Sequence, residues 1–108
     1  MDAIIRGTTP TLRMNIKSDI DMSMIAEVWI YISQQNKVKV DKTMVDMTID
    51  AEHRRVFAPL TQNDTLGLKA GTAFLQSRML LSDGTALGIS EIEVDILPIG
   101  KEGVITHE

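Results

Sequence analysis

Few side chains in this sequence have the types and spacing that catalysis requires. The two histidines, His53 and His107, lie in a charged turn and a terminal segment. Neither has a nucleophile or an acidic partner at a recognisable spacing, whereas nucleophilic catalysis needs a base held between the two. We therefore interpret both histidines as surface residues and expect a protein without enzymatic activity.

The sequence also lacks a recognisable pattern for a metal-binding or phosphate-binding site. The carboxylates Asp41, Asp46, Asp50 and Glu52 have oxygen ligands for calcium, but their spacing is not that of an EF-hand loop. With no cysteine, the chain has neither disulfides nor thiolate metal sites. The glycine-containing segments 67–71 and 84–88 are not followed by a helix, as a phosphate-binding loop would be. The sequence predicts no metal and no cofactor.

Binding through aromatic residues is the more promising chemistry. Trp29 and Tyr31 alternate along the most strand-like segment of the chain, and both faces of that segment are apolar. It is either a central strand covered on both sides or a strand with one face left for a partner. The aromatic pair then either fills the core or anchors a protein interface. Glu27 on the same face and the loop methionines Met22 and Met24 would complete that interface.

Composition places the chain among small globular domains and excludes some partners. Its 108 residues suffice for one core, and hydrophobic and charged contents of 44% and 24% are ordinary. A net charge of −4 argues against nucleic-acid binding, which needs a basic surface. No apolar run is long enough to span a bilayer, so we expect no membrane insertion. We expect a single domain over 1–108, with a flexible tail from about residue 101.

The strongest structural signal is a hairpin at Asp83-Gly84. Apolar residues alternate on both sides of this pair, which predicts two long strands joined by a two-residue type I′ turn. Apolar positions are odd at Leu87 and Ile89 but even from Ile92 onward. This change near Ser90 predicts a β-bulge or a strand that passes between two sheets.

Alternating patterns elsewhere predict the remaining strands. Segment 44–50 is expected to be a strand with Val45, Met47 and Ile49 inward and Met44 outward; on segment 25–34, Ala26, Val28, Ile30 and Ile32 share one face. Thr61 and Asp64 are placed to cap a helical turn. Together the segments predict an all-β fold, an antiparallel immunoglobulin-like β-sandwich of seven to eight strands.

The order of these pieces resembles a known family. The segments that carry the resemblance are collinear over almost the whole chain: Arg6-Gly7-Thr8-Thr9-Pro10, Val28 to Gln34, Leu60 to Leu66, Ala70-Gly71 and Asp83-Gly84-Thr85. They are similar to the N-terminal immunoglobulin-like domain of baseplate upper proteins from phages and prophages of Gram-positive bacteria. Independently of the resemblance, the guanidinium of Arg6 is expected to hold carbonyls or a carboxylate across the kink that Gly7 and Pro10 create.

The resemblance implies a non-enzymatic structural component of a phage or prophage tail or baseplate. Its partners would be other tail or baseplate proteins, with self-association possible, and it would be made in the host cytoplasm and end in the virion tail. Strand addition at the sheet edges Ile4-Ile5 or Val38–Val40 is one way such a module assembles. The alternative is a carbohydrate-binding or adhesive module that recognises a cell surface through Trp29, Tyr31 and Glu27.

Overall fold

The computed structural model describes residues 3–16, 19–88 and 91–106. Within these residues, two β-sheets pack face to face, which confirms the predicted all-β sandwich. The elements are β1 Ala3–Ile5, β2 Thr11–Asn15, β3 Ile25–Gln34, β4 Lys37–Thr43, β5 Thr48–Asp50, β6 Arg55–Pro59, α1 Gln62–Leu66, β7 Gly71–Leu81, β8 Ala86–Gly88 and β9 Ile92–Leu97, with 3-10 turns at Met22–Met24 and Met44–Asp46. The described residues thus hold nine strands rather than seven or eight, because the second arm of the predicted hairpin is divided into β8 and β9.

The two sheets differ in width. The larger sheet has the order β1-β9-β7-β3-β4, with β8 also paired to β7, and the smaller sheet has the order β2-β6-β5. Every pairing between described strands is antiparallel except that of β1 with β9, which is parallel. As a result β1 and β4 are the two edges of the larger sheet, as the edge-pairing hypothesis for Ile4-Ile5 and Val38–Val40 requires.

Alternation along the strands builds the core between the sheets. In β3 the even residues from Val28 onward point inward, and in β7 the odd residues do so, because successive side chains of a strand face opposite sides. The buried apolar side chains form two clusters that share Leu12 and Leu75 as partly buried neighbours. The largest fully buried members are Ile32, Leu68, Ile96, Val28 and Val56.

The Asp83-Gly84 hairpin is present, but its predicted turn type is wrong. Gly84 has a φ of +91°, whereas Asp83 does not have a positive φ, so a type I′ turn is excluded. The Leu81 carbonyl accepts from Gly84 N–H at 3.0 Å, and Leu81 N–H donates to the Thr85 carbonyl at 2.8 Å. This is a three-residue loop with glycine at its left-handed position. The hairpin whose turn has two residues with positive φ is the one between β3 and β4.

Gln35-Asn36 makes the tight turn between β3 and β4. Both residues have positive φ, 52° and 63°, and Gln34 pairs with Lys37 directly across the loop. This is the type I′ geometry that the sequence assigned to Asp83-Gly84. The glycine-containing pair Asp83-Gly84 was the stronger sequence signal for a two-residue turn. The direct pairing of Gln34 with Lys37 nevertheless places that turn at Gln35-Asn36.

The predicted change of parity in the second arm of the hairpin is confirmed. Met79 pairs with Leu87 in β8, and Ala73 pairs with Val94 in β9. Between Gly88 and Ile92 the register on β7 shifts by one residue, so Leu87 and Val94 both face inward despite their different parity. Both strands stay in the larger sheet, which excludes passage between sheets. Ser90, where the sequence placed the change, lies outside the described residues.

The predicted side-chain positions of Val45, Met44 and Ala26 are wrong, in each case because the backbone leaves regular strand geometry. Met44–Asp46 is a 3-10 turn, so Val45 is 85% exposed and Met44 packs against the core instead of facing outward. Met47 and Ile49 do pack against the core, as predicted. Ala26 is exposed because the pairing of β3 with β7 is shifted between Ile25 and Glu27.

The segment that leads into β7 closes one end of the sandwich. Thr61 and Asp64 form the predicted capping box at the start of α1. The Gln34 side chain exchanges two hydrogen bonds with the Lys69 backbone, at 2.7 and 2.9 Å. Leu60 and Leu68 join the core cluster that covers β1 and β9. This end of the larger sheet is therefore covered without an additional strand.

Candidate protein-interaction face

The larger sheet has an uncovered surface, here called the outer face, which points away from the smaller sheet. The register places Trp29 opposite Arg78, Tyr31 opposite Gln76 and Phe74 opposite Glu93, all on this face. Large apolar side chains are exposed across it: Ile5, Trp29, Phe74, Leu80 and Leu97. An apolar surface that spans several strands is uncommon on a monomer and typically marks an interaction site.

Trp29 and Tyr31 lie on the outer face of β3, between β7 and the edge strand β4. Trp29 is 45% exposed, so the alternative in which it fills the core is wrong. The guanidinium carbon of Arg78 lies 5.4 Å from the centre of the Trp29 ring, within cation–π range. The hydroxyl of half-buried Tyr31 donates to Gln76 Oε1 at 3.0 Å. A groove of about 230 Å³ runs beside Trp29 toward Leu80 and Ala86.

Glu27 belongs to this face but is already engaged by the backbone. Its Oε1 accepts from Val28 N–H at 3.0 Å and from Met44 N–H at 2.9 Å. The carboxylate therefore holds the 3-10 turn at Met44–Asp46 against β3. We assign Glu27 a positioning role at the margin of the face.

Met22 and Met24 lie in the 3-10 turn before β3, and both are partly buried. Met22 packs against the core cluster, and the Met24 carbonyl accepts from Ser82 N–H at 2.7 Å. The Asp21 side chain accepts from Ser23 N–H at 3.0 Å and caps this turn. That hydrogen bond, with a second one from the Ser23 hydroxyl, lowers the pKa of Asp21. These contacts fix the start of β3 beside the hairpin loop.

Arg6 is bound to three groups from distant parts of the chain. Its Nε donates to the Leu68 carbonyl at 2.7 Å, and one terminal nitrogen donates to the Leu66 carbonyl at 2.9 Å. The guanidinium also pairs with the carboxylate of Glu102. The sequence predicts carbonyls or a carboxylate as its partners, and the structure provides both.

The residues after Arg6 turn the chain from one sheet to the other. Gly7 has a φ of +79°, and Thr8 donates from its hydroxyl to the Ile5 carbonyl at 2.6 Å. The Thr8 carbonyl accepts from the buried Thr65 hydroxyl at 2.8 Å. Thr9 is exposed, and Pro10 accepts from Leu60 N–H at 2.9 Å as β2 begins. These residues have a structural role, as does the Asp83-Gly84 loop.

The described part of the predicted tail is attached to the same region. Glu102 pairs with Arg6, and the Gln62 side chain exchanges hydrogen bonds with the Ile105 backbone at 3.1 and 2.7 Å. The tail thus contacts both the Arg6 kink and the start of α1.

The residues considered for catalysis and metal binding are not assembled into a site. His53 pairs with Asp50 at 2.8 Å on the surface, a contact that lowers the pKa of Asp50. His107 lies outside the described residues. Within residues 3–16, 19–88 and 91–106, no group of three or more histidines and carboxylates is placed to hold a metal ion. The same residues include no helix long and apolar enough to cross a membrane.

Two apolar members of the outer face escaped the sequence analysis. Ile5 and Leu97 are brought together by the parallel pairing of β1 with β9. Parallel pairing of strands from opposite ends of a chain leaves no local sequence signal. The alternation within β7 does place Phe74 and Leu80 on the side of Arg78, so that part of the face could be predicted.

Comparison with known proteins supports the fold. No protein-family model and no curated protein matches this chain. Among solved structures, it is similar to "The crystal structure of CopC from Methylosinus trichosporium OB3b", with a TM-score of 0.57, 15% identity, and coverage of 95% of this chain and 91% of that chain. At this identity the likeness concerns the fold alone, and the chain is a β-sandwich by its own topology and by this likeness.

Proposed function

We propose that this protein is a non-enzymatic assembly module that works through protein–protein contacts on the outer face. The observation that carries the proposal is the set of large apolar side chains exposed on this face, of which Trp29 is one. Tryptophan and tyrosine are the residue types most enriched among residues that dominate binding energy. The outer face carries exposed apolar side chains among polar ones such as Arg78, Gln76 and Glu93, and a partner can cover such a surface.

The contacts around Trp29 favour a rigid surface. Arg78 packs over the indole ring, and the Tyr31–Gln76 hydrogen bond fixes the neighbouring ring. Because these side chains are already ordered, less conformational entropy is lost when a partner binds. Arginine beside an exposed tryptophan is also typical of residues that dominate interfaces.

The setting we propose is a phage or prophage tail or baseplate, with other tail proteins as partners. The support is the collinear sequence resemblance described above, together with a fold of the kind that it implies. Such a module contributes a scaffold and needs no catalytic residues.

The alternative, a carbohydrate-binding module, has weaker support from the contacts. Sugar recognition needs polar groups free to bond hydroxyls beside an open aromatic ring. Here the Oε1 of Glu27 is used by two backbone N–H groups, and Arg78 covers the indole. Binding on a glycan array that Trp29→Ala abolishes would favour this alternative.

The test is molar mass in solution by light scattering across a concentration series. We expect the wild type to exceed 12.0 kDa as concentration rises, or to do so when mixed with a tail partner. The double variant Trp29→Ala, Tyr31→Ala should weaken either association by roughly thirtyfold or more, since residues of this kind contribute about 2 kcal/mol or more at an interface.

Val45→Ala is the matched control. It also removes an exposed apolar side chain, but from the turn at Met44–Asp46 and not from the outer face. The proposal would be wrong if the double variant kept the wild-type mass and partner affinity, or if Val45→Ala lowered them equally.

A further inference from the structure

The smaller sheet ends in a free edge along β2, beside the inner surface of the larger sheet. The larger sheet is wider than the smaller one, so its inner surface extends beyond β2. At one end of this inner surface, Leu60 and Leu68 pack against Val94 and Ile96 and cover them. At the other end, near Leu87, no described strand lies above it.

The uncovered end forms an apolar groove. Its volume is about 520 Å³, a size typical of binding sites. One wall is formed by Leu12 and Met14 of β2, with Ile16 directly after the strand, and all three point inward. The other wall is formed by Met79, Leu87 and Ile92. Ile92 is 48% exposed, so part of its apolar surface is open to a ligand.

The backbone of β2 determines what kind of ligand fits. The Pro10 carbonyl accepts from Leu60 N–H, and Ile16 N–H donates to the Arg54 carbonyl, both at 2.9 Å. Along an antiparallel pair the bonded residues alternate, so even residues of β2 bond with β6. The N–H and C=O groups of Thr11, Arg13 and Asn15 therefore point to the free edge. Among the described residues they have no backbone partner there.

An unpaired strand edge beside an apolar groove matches an extended peptide better than a small molecule. The peptide backbone would bond with residues 11, 13 and 15, and alternate side chains would enter the groove. The other side chains would lie beside exposed Arg13, with Arg55 on the neighbouring strand. Opposite charges across a strand pair stabilise it, so a carboxylate is favoured at that position.

We propose that β2 and this groove bind an extended segment of a partner protein by strand addition. The segment alternates apolar residues with polar ones and carries an acidic residue opposite Arg13. It adds a fourth strand to the smaller sheet and covers the exposed inner surface of the larger one. Arg78 and Met79 line both this groove and the one beside Trp29. The contacts proposed here are instead those of β2 and Ile92, so the test is made at residues that the proposed function does not use.

The probe is a synthetic peptide with the sequence of residues 91–97, which alternates carboxylates with apolar side chains. Amide hydrogen exchange by NMR measures its binding to the whole protein. In the free protein the amides of Thr11, Arg13 and Asn15 should exchange fast, and those of Leu12 and Met14 slowly. A saturating amount of peptide should slow exchange at the first three. A peptide of the same composition without alternation is the ligand control, since it cannot fill the groove.

Two variants at exposed positions test the recognition without disturbing the core. Arg13→Glu should weaken binding about three- to tenfold, because the cross-strand charge pair becomes repulsive. Ile92→Lys should abolish it by placing an ammonium group in the groove. Lys39→Glu, an equal change of charge on the far edge strand β4, should leave affinity unchanged.

The hydrogen-exchange experiment distinguishes binding at β2 from binding elsewhere and from no binding. Slowed exchange at residues 11, 13 and 15 that is lost in Ile92→Lys supports the proposal. Unchanged exchange there at millimolar peptide, or protection only on β4 or β1, overturns it, as does equal binding of the peptide without alternation.

Discussion

Arg6 shows how one side chain joins segments that are far apart in sequence. It bonds to carbonyls on both sides of Gly67 and to the carboxylate of Glu102. The planar guanidinium has donors in several directions, so it can satisfy all three groups at once, and an ammonium group cannot span them.

Replacing Arg6 tests that explanation. Arg6→Ala should lower the free energy of unfolding by about 2–3 kcal/mol, because two carbonyls lose charged donors in a partly buried site. Arg6→Lys should recover only part of this loss. Glu102→Gln should cost less than about 1 kcal/mol, since the side chain of Glu102 is 63% exposed. Urea unfolding measures all three. Equal stability of the lysine and arginine proteins would contradict the geometric argument.

Asp64 links the helical turn to the edge of the larger sheet. Its carboxylate bonds to Thr61 N–H at 2.8 Å and pairs with Lys42 at 2.8 Å. Partial burial raises its pKa, but the hydrogen bonds from Lys42 and Thr61 outweigh burial, and the pKa is lowered overall. A carboxyl with a lowered pKa stabilises the folded state above its unfolded pKa, and this contribution is lost as the pH falls through the folded pKa.

The pH dependence of an Asp64→Asn variant checks this linkage. At pH 7 the variant should be less stable by about 1 kcal/mol, a typical contribution for a helix cap. The difference should shrink as the pH falls below the ordinary carboxyl value of 3.8. Thermal unfolding between pH 2.5 and 7 measures it, with Glu52→Gln, an exposed carboxylate, as the control. A difference that persists unchanged at pH 2.5 would refute the assignment.

Among the elements, the β3–β4 and β7–β8 hairpin loops differ in the backbone conformation that they require. The β3–β4 turn needs positive φ at both Gln35 and Asn36, yet neither residue is glycine. The loop between β7 and β8 needs it only at Gly84. Non-glycine residues pay about 1 kcal/mol in the left-handed region, with asparagine tolerated better than most.

Residues better suited to positive φ should make the β3–β4 turn, and with it the folded protein, more stable. Gln35→Asn with Asn36→Gly installs the preferred type I′ pair and should raise the free energy of unfolding by about 0.5–1 kcal/mol. Asp83→Gly should instead lower it, because the native φ is not positive and the unfolded chain gains freedom. Chemical denaturation measures both. A gain from Asp83→Gly equal to that at the first turn would mean that backbone conformation does not decide the effect.

Most of the strands could be predicted from alternation, whereas the packing of other elements against each strand could not. Strands β2, β3 and β7, the capping box at Thr61 and the register change before β9 all follow from local patterns. Alternation also placed Trp29 and Tyr31 on one side of β3 but could not say whether that side is covered. The 3-10 turn at Met44–Asp46 was missed because Val45, Met47 and Ile49 alternate with the spacing of a strand. The groove along β2 depends on sheet width, which is set by long-range pairing.

At the scale of the whole molecule, the two proposed sites occupy different sides of one sandwich. The Trp29 surface belongs to the outside of the larger sheet, and the β2 groove opens along the edge of the smaller one. Arg78 and Met79 line both grooves, but the binding residues proposed for the two sites differ: Trp29 and Tyr31 for one, β2 and Ile92 for the other. One module can therefore contact two neighbours at once, which is the property that a component of a larger assembly needs.

Independence of the two sites is itself testable. The double variant Trp29→Ala, Tyr31→Ala should bind the 91–97 peptide with wild-type affinity, and Ile92→Lys should keep the wild-type association through the outer face. NMR titration measures the affinity for the peptide, and light scattering measures the association through the outer face. A change in peptide affinity beyond about twofold in the double variant would indicate that the two sites are coupled.

The parallel pairing of β1 with β9 has a consequence for how the protein is made. Ala3 pairs with Asp95 and Ile5 with Leu97, so β1 pairs with a strand that is synthesised much later than itself. Contacts between distant residues slow folding, and β1 has no other strand partner in the described fold. During translation, Ile4 and Ile5 stay exposed until synthesis of β9 is complete. The nascent chain thus carries an apolar strand that chaperones can bind, and the larger sheet is completed only after β9 has been synthesised.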